Sequence, residues 1–465
     1  MAISIQRNPY TNNMLNLFNR VAPVFTPCVY VLSSDNSAEI NFRYVADVYI
    51  KGDFKVRLNF TNNSNNRGII DVQQIIQDYC KSQVSGYRNG VNQSGSSKKA
   101  NVSSVTVQHS IHQIDKWSRN DNTMIDIQLK FGESFSTAVG FPPITYTGVG
   151  AAKDTPGEPA KEGLELQVFN SALWQFKDLQ RNNDTLESYY LTAGNKNLLS
   201  TLDSTIKRKI RLGDYHTIAM FNGTNRASVT SLTDRVNFRF YDASGTQLLF
   251  SQIVNNDNDG GSPYASTSNN GVENLLFLGC GTKNFNNHSI NQIPAATSYY
   301  TVQVVQGGAG RSKTYTFEID NCDEDTERFK TFRLGWLNSL GGFDYYNFTM
   351  KNEKSFDFDR QTFMKTVGTW QDLNYTFEQG DHGVKDLNVD AVQKLNLQTD
   401  WLVDGEVEMM RECFMSPMVW MLEGEDVFPV NVQSTNFIEY NQKNDKVFQY
   451  ELDVTFSHKH RIQNG

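Results

Sequence analysis

Apolar and polar residues alternate with a period of two through most of this chain, which predicts a protein built from β-strands. In Met124 to Phe131, Ile125, Ile127, Leu129 and Phe131 fall on one face while Asp126, Gln128 and Lys130 face water. That is the pattern of one half of an antiparallel sandwich. Val29 to Leu32, Phe42 to Ile50, Lys55 to Phe60 and Val105 to His112 read as strands on the same ground. More are expected in LELQVFNSALWQF from Leu164, KIRLGDYHTIAMF from Lys209, VNFRFYDASGTQLLF from Val236, LLFLGC from Leu275, YTFEI from Tyr315 and VFQYELDV from Val447, and then from Thr455 to Ile462.

Two runs read as strand, tight turn, strand: Arg333 to Phe348, turning at Leu340-Gly341-Gly342-Phe343, and Ser416 to Val432, turning at Glu423-Gly424-Glu425-Asp426. Glycine reaches positive φ without steric cost and Asp tolerates it, so Gly341 and Gly342 are both expected there. Tyr241 to Thr246 has hairpin-turn composition. A short helix is expected after Asp71, which caps VQQIIQDYC and puts Ile75, Ile76 and Tyr79 on one face.

The fold class that follows is mainly β, with several antiparallel β-sandwich domains and a few short helices. Residues 1–24 are polar and Asn-rich and are expected to form an amino-terminal arm that orders only against a partner. A β-sandwich domain is expected over 25–141, a linker or long loop over 142–163, a second β domain over 164–313 and a carboxy-terminal β domain over 314–465. Ser85 to Asn101 and Val254 to Gly271 hold little to bury and read as long loops. Ile210-Arg211-Leu212-Gly213 and Phe332-Arg333-Leu334-Gly335 echo each other, a faint sign of duplicated sandwiches.

Composition narrows the function classes. Of 465 residues, 43 are Lys or Arg and 51 Asp or Glu, a net charge of -8 with no long basic cluster, which argues against a nucleic-acid partner. The 30 Phe and 20 Tyr supply large apolar anchors to offset a hydrophobic fraction of 38%. No apolar stretch approaches the ~20 residues of a membrane span. The start, MAISIQRNPY, lacks secretory character, so assembly in a cytoplasm is expected. Cys28, Cys80, Cys280, Cys322 and Cys413 lie far apart without CxxC pairing and read as reduced core thiols. Sequons such as Asn59-Phe60-Thr61 and Asn222-Gly223-Thr224 read as accidents of an Asn-rich chain.

Candidate chemistry is thin. His458 and His460 share a strand face and form half of a metal site at most, with a surface pair the better reading. His109 and His112 fall on opposite faces. Gly279-Cys280-Gly281 lacks the Ser of a nucleophile elbow, and Gly307 to Ser312 lacks the Lys of a phosphate loop. Asp320, Asp323, Glu324, Asp325 and Glu327 read as a solvated acidic turn, since the EF-hand spacing is missing. Trp336, Tyr345, Tyr346, Trp401 and Trp420 suit a core or a subunit contact better than a sugar-stacking cleft. No catalytic, cofactor-binding or metal-binding residue is assigned, and no cofactor is expected.

The order of segments resembles the virion structural proteins of tailed bacteriophages, in particular tail, baseplate, connector and collar or ring components from phages of Bacteroidetes and marine bacteria. The residues that carry the likeness are Tyr44 to Tyr49, Arg211 to Gly223, Arg333 to Phe348 and Ser416 to Val432. The resemblance implies a non-enzymatic homo-oligomer, a ring or sleeve in the virion, assembled in the host cytoplasm beside other virion structural proteins. The rival reading is a carbohydrate-binding adhesin or receptor-binding protein. A polysaccharide-cleaving enzyme needs two carboxylates in one cleft, which sequence does not place.

Overall fold

The computed structural model describes residues 3–7, 21–25, 27–81, 86–87, 108–109, 124–136, 139–140, 142–147, 164–172, 188–189, 191, 194–221, 235–254, 275–287, 293–306, 308–320, 329–371, 374–376, 379–380, 383–424, 426–434, 436–438 and 448–460. The protein is mainly β, with several sheets that are largely antiparallel. The chain divides into two units: one holds Met1–Asn321 and Leu337–Asp344, the other Cys322–Trp336 and Tyr345–Gly465.

Among the described residues, three sheets and two smaller strand pairs build the first unit. One sheet has the order β1 (Ile3–Arg7), β3 (Val29–Ser34), β6 (Arg67–Asp71). The next runs β2 (Val21–Pro23), β11 (Leu164–Phe169), β9 (Met124–Ser136), β4 (Ile40–Ile50), β5 (Asp53–Phe60), with β10 (Ile144–Thr147) also on β9. A third runs β12 (Arg208–Arg211), β19 (Tyr315–Asp320), β17 (Tyr299–Gln306), β14 (Arg235–Tyr241), β15 (Gln247–Val254), with β18 (Ala309–Gly310) on β17. The pairs are β7 (Gly86–Tyr87) with β8 (Gln108–His109), and β13 (Thr217–Phe221) with β16 (Leu275–Gly279).

The expected alternation in β9 holds: Ile125, Ile127, Leu129 and Phe131 are all buried. Tyr30 of β3 meets Phe131 at 5.1 Å between ring centroids, so the first two sheets share a core. In the third sheet Phe238, Phe240, Tyr300 and Phe317 face Ile218, Met220 and Leu278 of the β13–β16 pair. Truncating one such Phe to Ala typically costs about 3–5 kcal/mol.

Several expectations need correction. Parts of the supposed amino-terminal arm are built into sheets: β1 pairs antiparallel with β3, β2 pairs parallel with β11, and Ile3, Ala22 and Val24 are buried. A polar segment needs few apolar groups when a neighbouring strand satisfies its backbone. The strand opening the expected second domain, β11, pairs with β9 and belongs to the second sheet, and β10 lies within the expected linker. The helix α1 (Gln73–Tyr79) forms, with Asp71 Oδ1 accepting the Gln73 N–H at 2.9 Å. Its inward face, however, is Val72, Ile76 and Cys80, spaced by four, while Tyr79 is exposed. The strand from Thr455 stops at Phe456.

The second unit is organised around the order β21 (Phe343–Phe348), β20 (Phe332–Leu337), β26 (Val419–Glu423), β27 (Asp426–Val432), β28 (Glu451–Phe456), β25 (Val384–Gln398), β22 (Asn352–Met364). Helix α2 (Asp404–Met415) buries Val407, Met410 and Cys413, and Glu406 accepts the Val403 N–H at 3.0 Å. That contact and Asp404 suit the positive end of the helix dipole. A small pair, β23 (Thr369–Gln371) and β24 (Asn374–Thr376), lies in the connection from β22 to β25.

Both glycine turns occur where expected, with one difference. Gly341 has φ +86° and Gly424 +62°, but Gly342 is not at positive φ. Space makes Gly342 a glycine: a Cβ there would lie 2.2 Å from the carbonyl oxygen of Leu199. The echo between the two Arg-Leu-Gly segments is not a structural repeat. Gly213 turns the chain at φ +93° after β12, whereas Gly335 sits inside β20.

Candidate functional site: an exposed two-stranded ribbon

Strands β22 and β25 pair over their whole length, from Asn352↔Leu397 to Met364↔Val384. Only Lys394 to Gln398 of β25 also pairs with β28, and β22 is the last strand of its sheet. Beyond Lys394, among the described residues, the two strands therefore run on as a ribbon with no third strand, joined by one bridge between Ala391 and His460. Strict alternation in NEKSFDFDRQTFM produces this ribbon and gives it unlike faces. Lys354, Phe356, Phe358 and Arg360 share one face with Gln393, Ala391 and Val389 opposite. Glu353, Ser355, Asp357 and Asp359 take the other. A register shift between Gln361 and Thr362 leaves Leu387 without an opposite residue.

An isolated two-stranded ribbon is marginal in water, and this one exposes its apolar side chains. Phe358 is 62% accessible, Met364 84% and Val384 60%. The rings of Phe356 and Phe358 stack with centroids 6.5 Å apart, and Lys354 Nζ lies 5.3 Å from the Phe356 ring. The charges find partners at home: Arg360 pairs with Asp386 at 2.8 Å, Lys394 pairs with Asp357, and Lys459 reaches Asp390 at 3.6 Å. Such exposed pairs contribute little to stability.

The residues considered for chemistry disperse. Trp336, Tyr345, Tyr346 and Trp420 are buried, and only Trp401 is exposed. Tyr346 accepts the Asp400 N–H at 3.0 Å, and its burial raises the phenol pKa. Cys280 lies in the core, where its carbonyl accepts the Tyr300 hydroxyl at 2.8 Å. Gly308 turns at φ +84° between β17 and β18, which makes a hairpin of that glycine run. His458 and His460 are exposed. Among the described residues no group of three or more His, Cys, Asp or Glu is placed to hold a metal ion, and no helix is long and apolar enough to cross a membrane. Cys322, His112, the acidic residues 323–327 and most of the two expected long loops lie outside the described residues.

A buried polar knot in the first unit was not foreseen. Asp344 accepts hydrogen bonds from Ser200 Oγ at 2.6 Å, Thr201 Oγ1 at 2.6 Å, Thr201 N at 3.1 Å and Asn338 Nδ2 at 2.9 Å. Arg208 donates to Ser200 Oγ at 3.1 Å and to the Leu202 carbonyl, with its guanidinium 4.7 Å from the Tyr315 ring. Desolvation lowers the Arg208 pKa. The Asp344 carboxylate and the Ser200 and Thr201 hydroxyls are engaged with one another, which is the work of a fastening rather than of a reactive centre. No local motif signals the knot, because Ser200 and Asp344 are 144 residues apart. The ribbon was not foreseen either, although the Phe-Asp-Phe-Asp alternation of β22 is a local signal that could have found it.

No protein-family model matches the chain, and no curated protein matches it. Among solved structures, the plexin A4 full extracellular region aligns at a TM-score of 0.15 and 9% identity. The alignment covers 98% of this chain and 39% of that one, and a likeness this weak carries no argument.

Proposed function

We propose that this chain is a non-enzymatic structural protein that works as a homo-oligomer. On the resemblance of its motifs, we read it as a ring or sleeve component of a tailed-phage particle, assembled in the host cytoplasm beside other virion structural proteins. The observation that carries the oligomeric reading is the ribbon of β22 and β25, which holds Phe356, Phe358, Met364 and Val384 in water. Uncovered apolar surface of this kind marks a place for association. The adhesin reading has lost most of its stacking candidates to the core, with Trp401 left exposed.

Negative-stain electron microscopy of the purified full chain is the test. Closed rings or stacked sleeves are expected. Particles that stay monomeric at every concentration overturn the reading, and compact trimers that bind glycan favour the adhesin.

A further inference from the structure

We infer that the β22–β25 ribbon is itself the contact through which a second copy of this chain is held, by packing across its faces. The inference rests on the oligomeric reading above and assigns it a surface. The stretch of ribbon free of β28, Phe356 to Met364 opposite Val384 to Gln393, spans about 31 Å and is about 10 Å wide. Its two faces together offer on the order of 600 Å², about three-quarters of the roughly 800 Å² that each partner buries in a stable interface, so the contact also takes in surface beyond the ribbon.

Charge selects the kind of partner. Lys354, Arg360, Lys385 and Lys394 stand against Glu353, Asp357, Asp359, Asp386 and Asp390, so the ribbon is close to neutral. Two of its cations already pair within it, Arg360 with Asp386 and Lys394 with Asp357. A polyanion such as nucleic acid finds no basic track here, and a near-neutral apolar face suits a surface that must meet its own kind. Open-ended strand addition along the edge of β22 is opposed by Glu353, Asp357 and Asp359, which would meet like charges in a second antiparallel β22. Face packing remains. The same chain leaves Leu248 and Phe250 uncovered on its edge strand β15, so a head-to-tail contact has apolar surface to land on.

The test compares the full chain with the double variant Phe356→Ser, Phe358→Ser by analytical ultracentrifugation up to about 100 μM. Both side chains are exposed, Phe356 at 43% and Phe358 at 62%, so the variant should keep close to the melting temperature of the parent protein, which circular dichroism checks. The expected result is a Kd for self-association raised by about tenfold or more. A photo-crosslinking residue in place of Phe358 should join two copies of the chain. A parent protein that assembles while the double variant assembles equally well sinks the ribbon and leaves the oligomeric reading standing. A parent protein that never assembles sinks both. Crosslinks confined to one copy, or formed only to another protein in a host lysate, also overturn the inference.

Discussion

The hydroxyl of Ser200 donates a 2.6 Å hydrogen bond to the carboxylate of Asp344, 144 residues further along the chain. Asp344 lies at the end of the Gly341-Gly342 turn, and Leu337–Asp344 belongs to the first unit although most of the later chain does not. The turn is held there by shape as well as by charge. Asn338 Nδ2 donates to the Leu199 carbonyl at 3.1 Å, the Ser339 carbonyl accepts both Ser171 Oγ at 2.8 Å and Ala172 N at 2.7 Å, and the Asn170 carbonyl sits against Gly341.

Removing the carboxylate should therefore be costly. Asp344→Ala leaves the donors of Ser200, Thr201 and Asn338 buried without their acceptor and the Arg208 charge less compensated, for an expected loss of about 3–5 kcal/mol. Asp344→Asn keeps the shape and should cost about 1–3 kcal/mol. Urea unfolding of both variants checks the order, and a loss below about 1 kcal/mol for Asp344→Ala would show that the knot is incidental.

The three turn glycines should separate torsion from crowding. Gly424 has positive φ and open space around it, so Gly424→Ala meets only the left-handed penalty of about 1–2 kcal/mol. Gly342 has an ordinary φ but no room, so Gly342→Val should cost about 3 kcal/mol or more. Gly341→Ala meets both obstacles, with φ +86° and the Asn170 carbonyl oxygen 2.5 Å from the added Cβ. Thermal melts in which Gly424→Ala is the worst of the three would contradict the assignment.

Deleting residues 1–7 should lower the melting temperature of the first unit. The deletion strips β1 from β3 and removes the buried Ile3, whose burial alone is worth roughly 1.5–3 kcal/mol. Calorimetry checks it. An unchanged melt combined with weaker association would restore the picture of a free arm.

Thiol chemistry should depend on folding. Cys28, Cys80, Cys280 and Cys413 are buried thiols outside any disulfide, and desolvation pushes the Cys28 and Cys80 thiols up to about 12. The thiolate is the reactive form, so at pH 8 these four should be silent toward a thiol reagent in the native protein. All five cysteines of the chain should react after denaturation. Because folding favours the protonated form, this contribution to stability is complete below the unfolded value near 9 and is lost as pH rises toward 12. Peptide mapping by mass spectrometry after labelling, and alkaline unfolding curves, measure both effects; rapid native labelling of Cys28 or Cys80 would refute the burial.

Much of the architecture was legible because local rules are enough to specify it. A period of two is what a half-buried strand requires, so Ile125, Ile127, Leu129 and Phe131 announced their common face, and the glycines announced both hairpins. The helix after Asp71 was also legible, but its inward face was not, since Val72, Ile76 and Cys80 are chosen by the sheet they pack against and not by apolarity alone. The same limit applies to the aromatics: whether Trp336 or Trp401 meets water depends on which neighbours cover it.

What the sequence by itself determined, then, is that this chain forms strands, where many of them lie, though not β22 or β25, and which faces of those are apolar. Partners were decided only by the tertiary structure: β1 with β3, β11 with β9, Ser200 with Asp344, and a ribbon of β22 and β25 left without a third strand. The physical reason is range. Alternation and turn chemistry act over a few residues, whereas pairing is selected by burial and hydrogen bonding between segments brought together from tens to hundreds of residues apart, and no single segment carries that information.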